Sequence, residues 1–385
     1  MSTGRRWTRL TVALLSVGAL TLSACGSTAD GAGESQSSSQ QTGSASSASS
    51  AEGSSSAQSG SSESSAEQGS QEQSSSAAPQ EMLKLTVGRL PCAADCGFLR
   101  MSDVKGFYQQ YGVDVQFKEF NSAAQIFPAL GSGEVDAIEQ SPGALFVAAA
   151  TGEGLSSKVV GSSMEGLPYA IYAKKGINSL KDLEGKTVAI SSKTGLPAQV
   201  ADLMLKKAGV DLSKVKWVNG GGNADRYKAV VAGVADAASS PADYVPNTDK
   251  DGIQALALSP DMIPDMLRYT ILARNDVLES NGEAVTRYLA GLMAGLRYAY
   301  AHPDEAKQIS ADALKTTPDA PEVTYMYDMI TKYKLVDPNA GVPMQKMNYL
   351  NDALVEVGLI DKPVDINKFI DLSFQEAAVK LVDGK

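Results

Sequence analysis

From Met82 onward, apolar and polar residues follow each other in short blocks separated by glycine-containing turns. Blocks with period two predict strands, and blocks with apolar residues three or four positions apart predict helices. The first half of this region predicts strands at 83–88, 113–117, 136–139 and 158–160, and helices at 101–111, 123–131 and 142–152. This alternation of strand and helix favours a sheet with parallel strands.

The pattern breaks at 162–166 and then begins again. The second half predicts strands at 169–173, 186–190, 215–218 and 236–238, and helices at 180–183, 196–208 and 225–232. A strand at 267–273 returns to the first half, and 283–385 is mostly helical. We therefore predict an α/β fold of two lobes, joined by two crossings, with a hinged cleft between them.

The predicted lobe 1 begins with 82–163, lobe 2 is 164–268, and 269–385 supplies the return segment and C-terminal helices, mainly on lobe 1. Ligands of open α/β sheets bind beyond the carboxyl ends of the strands. When two such sheets face each other, the cleft between them is the expected binding site.

Residues 1–24 are typical of an export signal. Three arginines precede an apolar run at 10–22, which is shorter than the roughly 20 residues that span a bilayer. The run ends in Leu-Ser-Ala-Cys-Gly, which resembles the lipobox of bacterial lipoproteins. The resemblance implies that the chain is cut before Cys25 and that this cysteine carries the lipid. An incidental cysteine beside a conventional cleavage site is the alternative.

The segment 25–81 is dominated by Ser, Gly, Ala, Gln and Glu, and it has no aromatic residue, Val, Ile or Leu between 27 and 80. Such a composition cannot bury enough apolar area to offset chain entropy, so we predict a disordered linker. A flexible chain of about fifty residues spans about 40 Å. The linker would hold the folded part near the membrane on its extracytoplasmic side.

Charge and composition exclude several classes of function. The formal net charge is −10, which argues against a nucleic-acid partner because phosphate binding needs clustered Lys and Arg. One histidine, His302, and three cysteines make a transition-metal enzyme a poor candidate. We expect no metal and no cofactor.

Four segments of the folded part form an ordered set of motifs: KGFYQQYGVDV at 105–115, ALGSGEVD at 129–136, SLKDLEGKTV at 179–188 and VVAGVAD at 230–236. The set resembles the nitrate, sulfonate and taurine-type solute-binding proteins, a group that also includes binders of thiamine-pyrimidine precursors, and the resemblance covers about 83–302. The resemblance implies a type II periplasmic-binding-protein fold. These motifs build the framework, so they do not identify the solute.

The resemblance implies a solute-binding lipoprotein that delivers a small, anionic organic solute to an ABC importer by closing its lobes. The leading candidates for the solute are sulfonates, taurine, nitrate-like ions and aromatic carboxylates, and a thiamine precursor or another heterocycle is the alternative. The implied partners are the membrane permease, its ATPase indirectly, and the membrane through the lipid anchor. We expect a monomer that is not an enzyme.

An enzyme is the main rival, because a pyrimidine synthase of thiamine biosynthesis and some lyases share this fold. That synthase needs a cysteine-rich signature and a histidine used as substrate, which the Cys-Ala-Ala-Asp-Cys sequence at 92–96 and the distant His302 do not match. A lipoprotein that presents its solute to a membrane receptor is a third hypothesis.

The loops that follow the predicted strands are the expected walls of the cleft. The residues that we expect to bind the solute are Cys92, Phe98, Asn121, Ser122, Gln140, Ser141, Ser163, Ser192, Thr194, Gly195, Asn223, Asp243 and Tyr244.

Several of these side chains have a simpler alternative role. The loop 191–197 offers hydroxyls and free N–H groups at a helix N-terminus, which favours an anion, but Ser192 or Thr194 could instead cap the helix. Arg89 and Arg226 could clamp a carboxylate or form structural ion pairs. Aromatic residues in the loops could stack on a planar solute or pack in the core.

Cys92 and Cys96 lie four residues apart in the first loop of the expected cleft. In an exported chain such a pair favours a disulfide, and one turn of helix brings two Cα atoms within the required distance. We expect this bond to fix the shape of the loop.

Overall fold

The structure is a computed structural model that describes residues 82–384 except 153 and 155. The proposed signal at 1–24, the lipidated Cys25 and the linker at 25–81 lie outside the described residues. Within the described residues, no helix combines the length and the apolar character needed to cross a membrane.

Ten strands build two separate five-stranded sheets. They are β1 (Leu83–Arg89), β2 (Val113–Glu119), β3 (Ala137–Gln140), β4 (Ser157–Met164), β5 (Tyr169–Lys174), β6 (Thr187–Ile190), β7 (Lys216–Asn219), β8 (Ala237–Pro241), β9 (Ile253–Leu258) and β10 (Tyr269–Arg274). Lobe 1 contains the sheet β2-β1-β3-β10-β4, and lobe 2 contains the sheet β7-β6-β8-β5-β9. Two mixed α/β sheets are the predicted fold class.

The two sheets have equivalent topologies. In lobe 1, β1, β2 and β3 are parallel, and β10 runs antiparallel to its neighbours β3 and β4. In lobe 2, β6, β7 and β8 are parallel, and β5 runs antiparallel to β8 and β9. Alternate residues of a strand lie on the same face of the sheet, and one face packs in the core. Leu85 and Val87 in β1, for example, share a face and are both buried.

Both crossings between the lobes leave and enter the sheets at the carboxyl ends of the parallel strands. Met164 at the end of β4 pairs with Tyr269 at the start of β10, and Thr270 pairs with Gln140 at the end of β3. In lobe 2, Tyr169 at the start of β5 pairs with Pro241 at the end of β8. The carboxyl ends of the two sheets therefore face the same gap.

The described residues contain thirteen α-helices. They are α1 (Cys96–Leu99), α2 (Met101–Lys105), α3 (Phe107–Gln110), α4 (Ala123–Ser132), α5 (Gly143–Thr151), α6 (Leu196–Lys207), α7 (Asn223–Val231), α8 (Ser259–Met262), α9 (Asn275–Ala301), α10 (Pro303–Leu314), α11 (Pro321–Lys332), α12 (Met344–Glu356) and α13 (Ser373–Asp383). Short 3₁₀ turns lie at Leu180–Leu183, Leu212–Lys214, Ala242–Asn247 and Ile366–Phe369.

The C-terminal helices contact both lobes. Helices α9, α10 and α13 pack on lobe 1, whereas α11 packs against the 3₁₀ turn Ala242–Asn247 of lobe 2 and α12 packs against both α5 and α6. The segment between α11 and α12 also holds the first crossing, because the N–H of Gly166 donates to the carbonyl of Leu335 over 2.8 Å. A Cβ at Gly166 would lie 2.9 Å from the Cα of Leu335, so this approach requires glycine.

Three of the segments that differ from the sequence-based predictions have a clear physical reason. β4 continues through Ser162 and Ser163, where a break was expected, and the chain leaves the strand only after Met164. The helix expected at 101–111 is divided at Gly106, which has a φ of 68°. β9 was not predicted, because alanine and leucine favour helix, and its strand conformation comes from pairing with β5.

Candidate functional site

The two lobes approach each other where the carboxyl ends of their strands face the same gap. Gln199 in the first turn of α6 reaches Gly143 at the start of α5, and its side-chain amide would lie 3.3–3.4 Å from a Cβ at that glycine. The Oε1 atom of Gln199 and the Nε2 atom of Gln140 are buried without a hydrogen-bond partner among the described residues. These groups mark a polar region between the lobes.

The lobe 1 side of the cleft contains a buried ion pair. Asp95, in the loop after β1, lies 2.5 Å from Arg268, which precedes β10, and both side chains are at most 5 % exposed. The N–H of Ala93 donates to the same carboxylate over 2.9 Å. Burial opposes ionisation of Asp95, but Arg268, the N–H of Ala93 and Arg100 together outweigh it, so the pKa of this carboxyl is lowered. The pair is charged and ties the first loop to the second crossing.

A disulfide between Cys92 and Cys96 encloses Asp95. The Cα atoms of the two cysteines are 5.2 Å apart, as the four-residue spacing allows. Cys92, Asp95 and Cys96 form a cluster of metal-ligand types. Its two sulfurs are bonded to each other and its carboxylate pairs with Arg268, so these atoms are engaged within the protein.

Further charges of lobe 1 are also paired. Glu139 of β3 accepts a hydrogen bond from the hydroxyl of Ser163 in β4 and lies 3.6 Å from Arg100. Arg89 at the end of β1 pairs with Asp103, lies 3.5 Å from Glu119, and covers the ring of Phe117. Arg89 therefore has the structural role that was the alternative to a solute clamp.

The lobe 2 side contains a buried arginine of a different kind. Arg226 in α7 is 1 % exposed, and its guanidinium donates to the carbonyls of Ser239 and Gly221 and to Oδ1 of Asn223, over 2.7–2.9 Å. These acceptors are neutral, and no carboxylate of the described residues forms an ion pair with it. Burial lowers the pKa of Arg226, which is the expected effect of desolvating an uncompensated cation.

A buried carboxyl, Asp243, lies in the 3₁₀ turn that follows β8. It is 2 % exposed, and its Oδ1 atom has no hydrogen-bond partner among the described residues. Burial, and then the nearby charge of Asp95, raise the pKa of Asp243 to about 7. Asp243 thus places a readily titrated carboxyl between the two lobes.

Tyrosine rings connect these groups. Tyr244 stacks on Tyr227 with ring centroids 4.5 Å apart, and the Tyr169 hydroxyl lies 3.5 Å from Oδ1 of Asn223. Burial and Asp243 raise the pKa of Tyr244, while Arg226 opposes this shift. Asp243 and Arg226 therefore both act on Tyr244, with opposite sign.

Some of the expected solute-binding residues come together at this place. Asn223, Asp243 and Tyr244 lie with Arg226 in lobe 2, and Gln140, Ser141 and Ser163 lie at the centre of the lobe 1 sheet around Glu139. The N–H of Ser141 donates to Oε1 of Gln140, and the three lobe 1 side chains are buried.

Others do not. Phe98 is 2 % exposed and packs against Tyr300 and Tyr327 of the C-terminal helices, so the expectation that it stacks on a solute is wrong. Cys92 is committed to the disulfide. Asn121 and Ser122 follow β2, an edge strand three positions from β10, or about 14 Å at the usual strand spacing.

The loop before α6 also differs from the simpler expectation. Ser192 and Thr194 are exposed, and Gly195, the N-cap of α6, leaves the helix without a side-chain cap. Capping by Ser192 or Thr194 is therefore not observed. The loop instead receives the amide of Gln199, which donates to the carbonyl of Thr194 over 2.9 Å.

The expected solute-binding residues do not include Asp95, Arg268, Glu139, Arg100 and Gln199. For three of them a signal exists in the sequence: Glu139 and Arg268 are charged residues inside predicted strands, and Asp95 lies between two cysteines. A charge in an apolar strand needs a buried partner, which identifies it as a residue of special interest.

Comparisons with known proteins agree with this architecture. The family model described as NMT1/THI5 like matches residues 95–306, more than half of the chain. A protein of Brucella abortus (strain 2308), named as a binding protein, is 26% identical over 246 residues, covering 62% of this chain and 74% of its own.

Solved structures share the fold. The ligand-binding component of an ABC-type import system from Staphylococcus aureus has a TM-score of 0.63 at 15% identity, covering 77% of this chain and 99% of that chain. The alkanesulfonate-binding protein SsuA from Xanthomonas axonopodis pv. citri has a TM-score of 0.62 at 17% identity, covering 76% and 100%. The desulfurization enzyme DSZB has a TM-score of 0.57 at 11% identity, covering 78% and 99%. At these identities the likeness establishes the fold alone.

Proposed function

The chain belongs to the NMT1/THI5-like family, and on that premise we propose that it is the solute-binding component of an ABC-type importer. In this proposal the lipidated Cys25 and the linker at 25–81 hold the two lobes on the extracytoplasmic face of the cell membrane. The loaded protein then passes its solute to a membrane permease. The import component from Staphylococcus aureus, which has the same fold, supports this assignment.

The observation that carries the proposal is Arg226. A buried guanidinium whose hydrogen bonds go only to neutral oxygens carries a desolvation cost that an anion would offset. The guanidinium lies at the carboxyl ends of lobe 2 strands, where ligands of such sheets bind. We therefore propose a small organic anion, such as a sulfonate or carboxylate, as the solute.

One helix N-terminus supports an anion at this side of the cleft. Helix α6 begins at the carboxyl end of β6, and its N-cap residue, Gly195, provides no side-chain cap. Free N–H groups and the helix dipole favour negative charge there. At the start of α7, in contrast, the Asp225 carboxylate already accepts a hydrogen bond from the N–H of Gly222.

Lobe closure is the proposed mechanism. The lobes are connected by the crossings at 165–168 and 259–268, so they can rotate about this pair of segments as hinged domains do. A solute that contacts both walls binds the closed form more tightly than the open form and shifts the population towards it. Residues of the 335–340 segment brace the first crossing and would limit the range of this movement.

An enzyme on the same fold has less support. The chain's single histidine, His302, stacks on Tyr298 at the end of α9, and the two thiols of the first cleft loop are joined in a disulfide. These side chains are the usual nucleophiles and bases, and here they are otherwise engaged. Turnover of a bound solute by the purified protein would favour the enzyme instead.

Binding to the full-length protein tests the proposal. Alkanesulfonates, taurine, nitrate, aromatic carboxylates and pyrimidines are added separately, and the melting temperature is measured. A solute at 100 times its Kd stabilises the native state by about 2.7 kcal/mol, which a thermal shift detects. Small-angle scattering of the same samples should show a more compact particle on binding. A cooperatively melting protein that responds to none of these solutes would contradict the proposal.

A further inference from the structure

We infer that the solute carries a protonated nitrogen in addition to its anionic group, and that Asp243 binds this nitrogen. The inference rests on the proposed function, because it concerns the solute of the same cleft. It adds a specificity-determining residue on lobe 2 and narrows the solute to an amine-bearing anion.

The position of Asp243 is the first argument. Its side chain is 2 % exposed, and the Oδ1 atom has no hydrogen-bond partner among the described residues. A buried carboxylate oxygen without a donor is costly, and native proteins rarely leave one unpaired without a functional reason. A donor supplied by a bound solute removes that cost.

The local charge is the second argument. Asp243 and Asp95 both lie near the buried cation Arg268, and the short contact of that cation is with Asp95. Arg100 also acts on Asp95, but its own ion pair is with Glu139. Glu322 on α11 adds a further negative charge. Two buried carboxyls against one guanidinium leave an excess of negative charge, which a proton or a cationic group must neutralise.

The titration of Asp243 agrees with this geometry. Burial and Asp95 raise its pKa to about 7, so near neutral pH the carboxyl can release its proton when a cation arrives. A protonated amine beside the ionised carboxylate would then form a charge-assisted hydrogen bond.

Tyrosine rings lie near both charged groups. Tyr244 follows Asp243 in the chain, and burial and Asp243 raise its pKa while Arg226 lowers it. The Tyr169 hydroxyl lies 3.5 Å from Oδ1 of Asn223, the oxygen to which Arg226 donates. Aromatic rings also favour a cationic nitrogen.

Matched solutes that differ in one nitrogen test the inference. The pairs are taurine with ethanesulfonate, β-alanine with propionate, and 4-aminobutyrate with butyrate, each titrated by calorimetry into the full-length protein. We expect the nitrogen-bearing member of at least one pair to bind about tenfold or more tightly, the effect of one hydrogen bond to a charged group. The variant Asp243→Asn should reduce that ratio to about one, while Glu322→Gln, which changes the field without the direct contact, should keep it.

The outcomes separate the two proposals. Binding of the nitrogen-free members as tightly as their partners, or an unchanged ratio in Asp243→Asn, would overturn the inference and leave the proposed function intact. If that variant does not fold, the wild-type protein decides: the preference for the amine should increase from pH 6 to pH 8 as Asp243 ionises, and a constant preference would contradict the inference. A folded protein that binds none of the six solutes, or any other solute of the wider panel, would count against the proposed function itself.

Discussion

The buried charges on the lobe 1 side of the cleft form ion pairs, whereas Arg226 and Asp243 on the lobe 2 side form none among the described residues. In lobe 1, Asp95 pairs with Arg268, and Glu139 lies between Ser163 and Arg100. In lobe 2, Arg226 donates to neutral oxygens, and Asp243 has an oxygen without a donor. Single atoms of the lobe 1 charges, such as Nε of Arg268, also lack a hydrogen-bond partner, so the contrast concerns ion pairing. The two halves of the same cleft therefore differ in how much of their electrostatic cost the protein itself offsets.

This difference suggests a division of roles. A paired buried charge stabilises the fold when intact and is costly to break, but it has little left to offer a solute. A buried charge without an ion pair lowers the stability of the empty protein, and a bound solute of opposite charge restores that stability. We therefore expect changes in lobe 1 charges to affect mainly stability, and changes in lobe 2 charges to affect mainly affinity.

Breaking the Asp95–Arg268 pair should cause the largest loss of stability. Asp95→Asn leaves Arg268 buried without its counter-ion, and breaking a buried pair in this way costs about 3–5 kcal/mol. Urea unfolding measures the loss. The matched control is Asp249→Asn, which breaks the exposed pair with Lys175 and should cost less than about 1 kcal/mol.

The double variant with Arg268→Gln sharpens this result. Removing both charges should recover part of the stability, because Arg268 is then no longer buried as a cation without its counter-ion. If Asp95→Asn instead leaves stability unchanged and reduces solute affinity, the lobe 1 charges do not act mainly on the stability of the fold.

Asp243 should make stability depend on pH in the absence of solute. Its folded pKa of about 7 is above the ordinary value of 3.8, so the native state holds the proton more tightly than the unfolded state. This contribution is fully present below about pH 4 and is lost as pH rises to about 7, by up to about 4 kcal/mol at 1.36 kcal/mol per unit. Asp243→Asn should remove the slope and melt at a higher temperature than wild type at pH 8.

The comparison of the two proteins across pH isolates this group, because all other titrations are shared. Equal slopes for wild type and Asp243→Asn between pH 4 and pH 7 would show that lobe 2 does not carry an uncompensated carboxyl.

Arg226 should affect affinity more than lobe 1 arginines do. Arg226→Gln removes the cation while keeping a donor, and we expect anion affinity to fall about 10–100-fold, as for a lost hydrogen bond to a charged group. Arg89→Gln is the control in lobe 1, where the arginine is held by Asp103, and it should leave affinity within about twofold. Calorimetry measures the affinity of each variant for the anion. Equal losses of affinity in Arg226→Gln and Arg89→Gln would show that the two sides of the cleft do not differ in this way.

The sequence predicts the sheets well because strand periodicity and glycine turns are local signals. Placing loops after strands was enough to bring Asn223, Asp243 and Tyr244 to the cleft. The extent of β4 and the existence of β9 could not be derived in this way, since both depend on partner strands. The signal, Cys25 and the linker remain predictions, as they lie outside the described residues.

Long-range pairing accounts for what the sequence could not reveal about the site. Asp95 meets Arg268, and Phe98 meets Tyr300 and Tyr327, only after the chain has returned from lobe 2. No local pattern distinguishes a phenylalanine that faces a cleft from one that faces a distant helix. Likewise, Arg89 and Arg226 both lie near the carboxyl ends of strands, and only their partners show which one forms an ion pair.

The disulfide should give the smallest of these effects, and it links the two walls. It closes a loop of about five residues, for which chain entropy gives about 2 kcal/mol of stabilisation. Cys92→Ala with Cys96→Ala should lower the free energy of unfolding by about this amount. Because the loop positions Asp95, whose charge acts on Asp243, the double variant should also lower the pH at which solute affinity changes. Calorimetric titration of wild type and variant between pH 5 and pH 8 measures this shift, and coincident profiles would show that the disulfide supports the loop without influencing lobe 2.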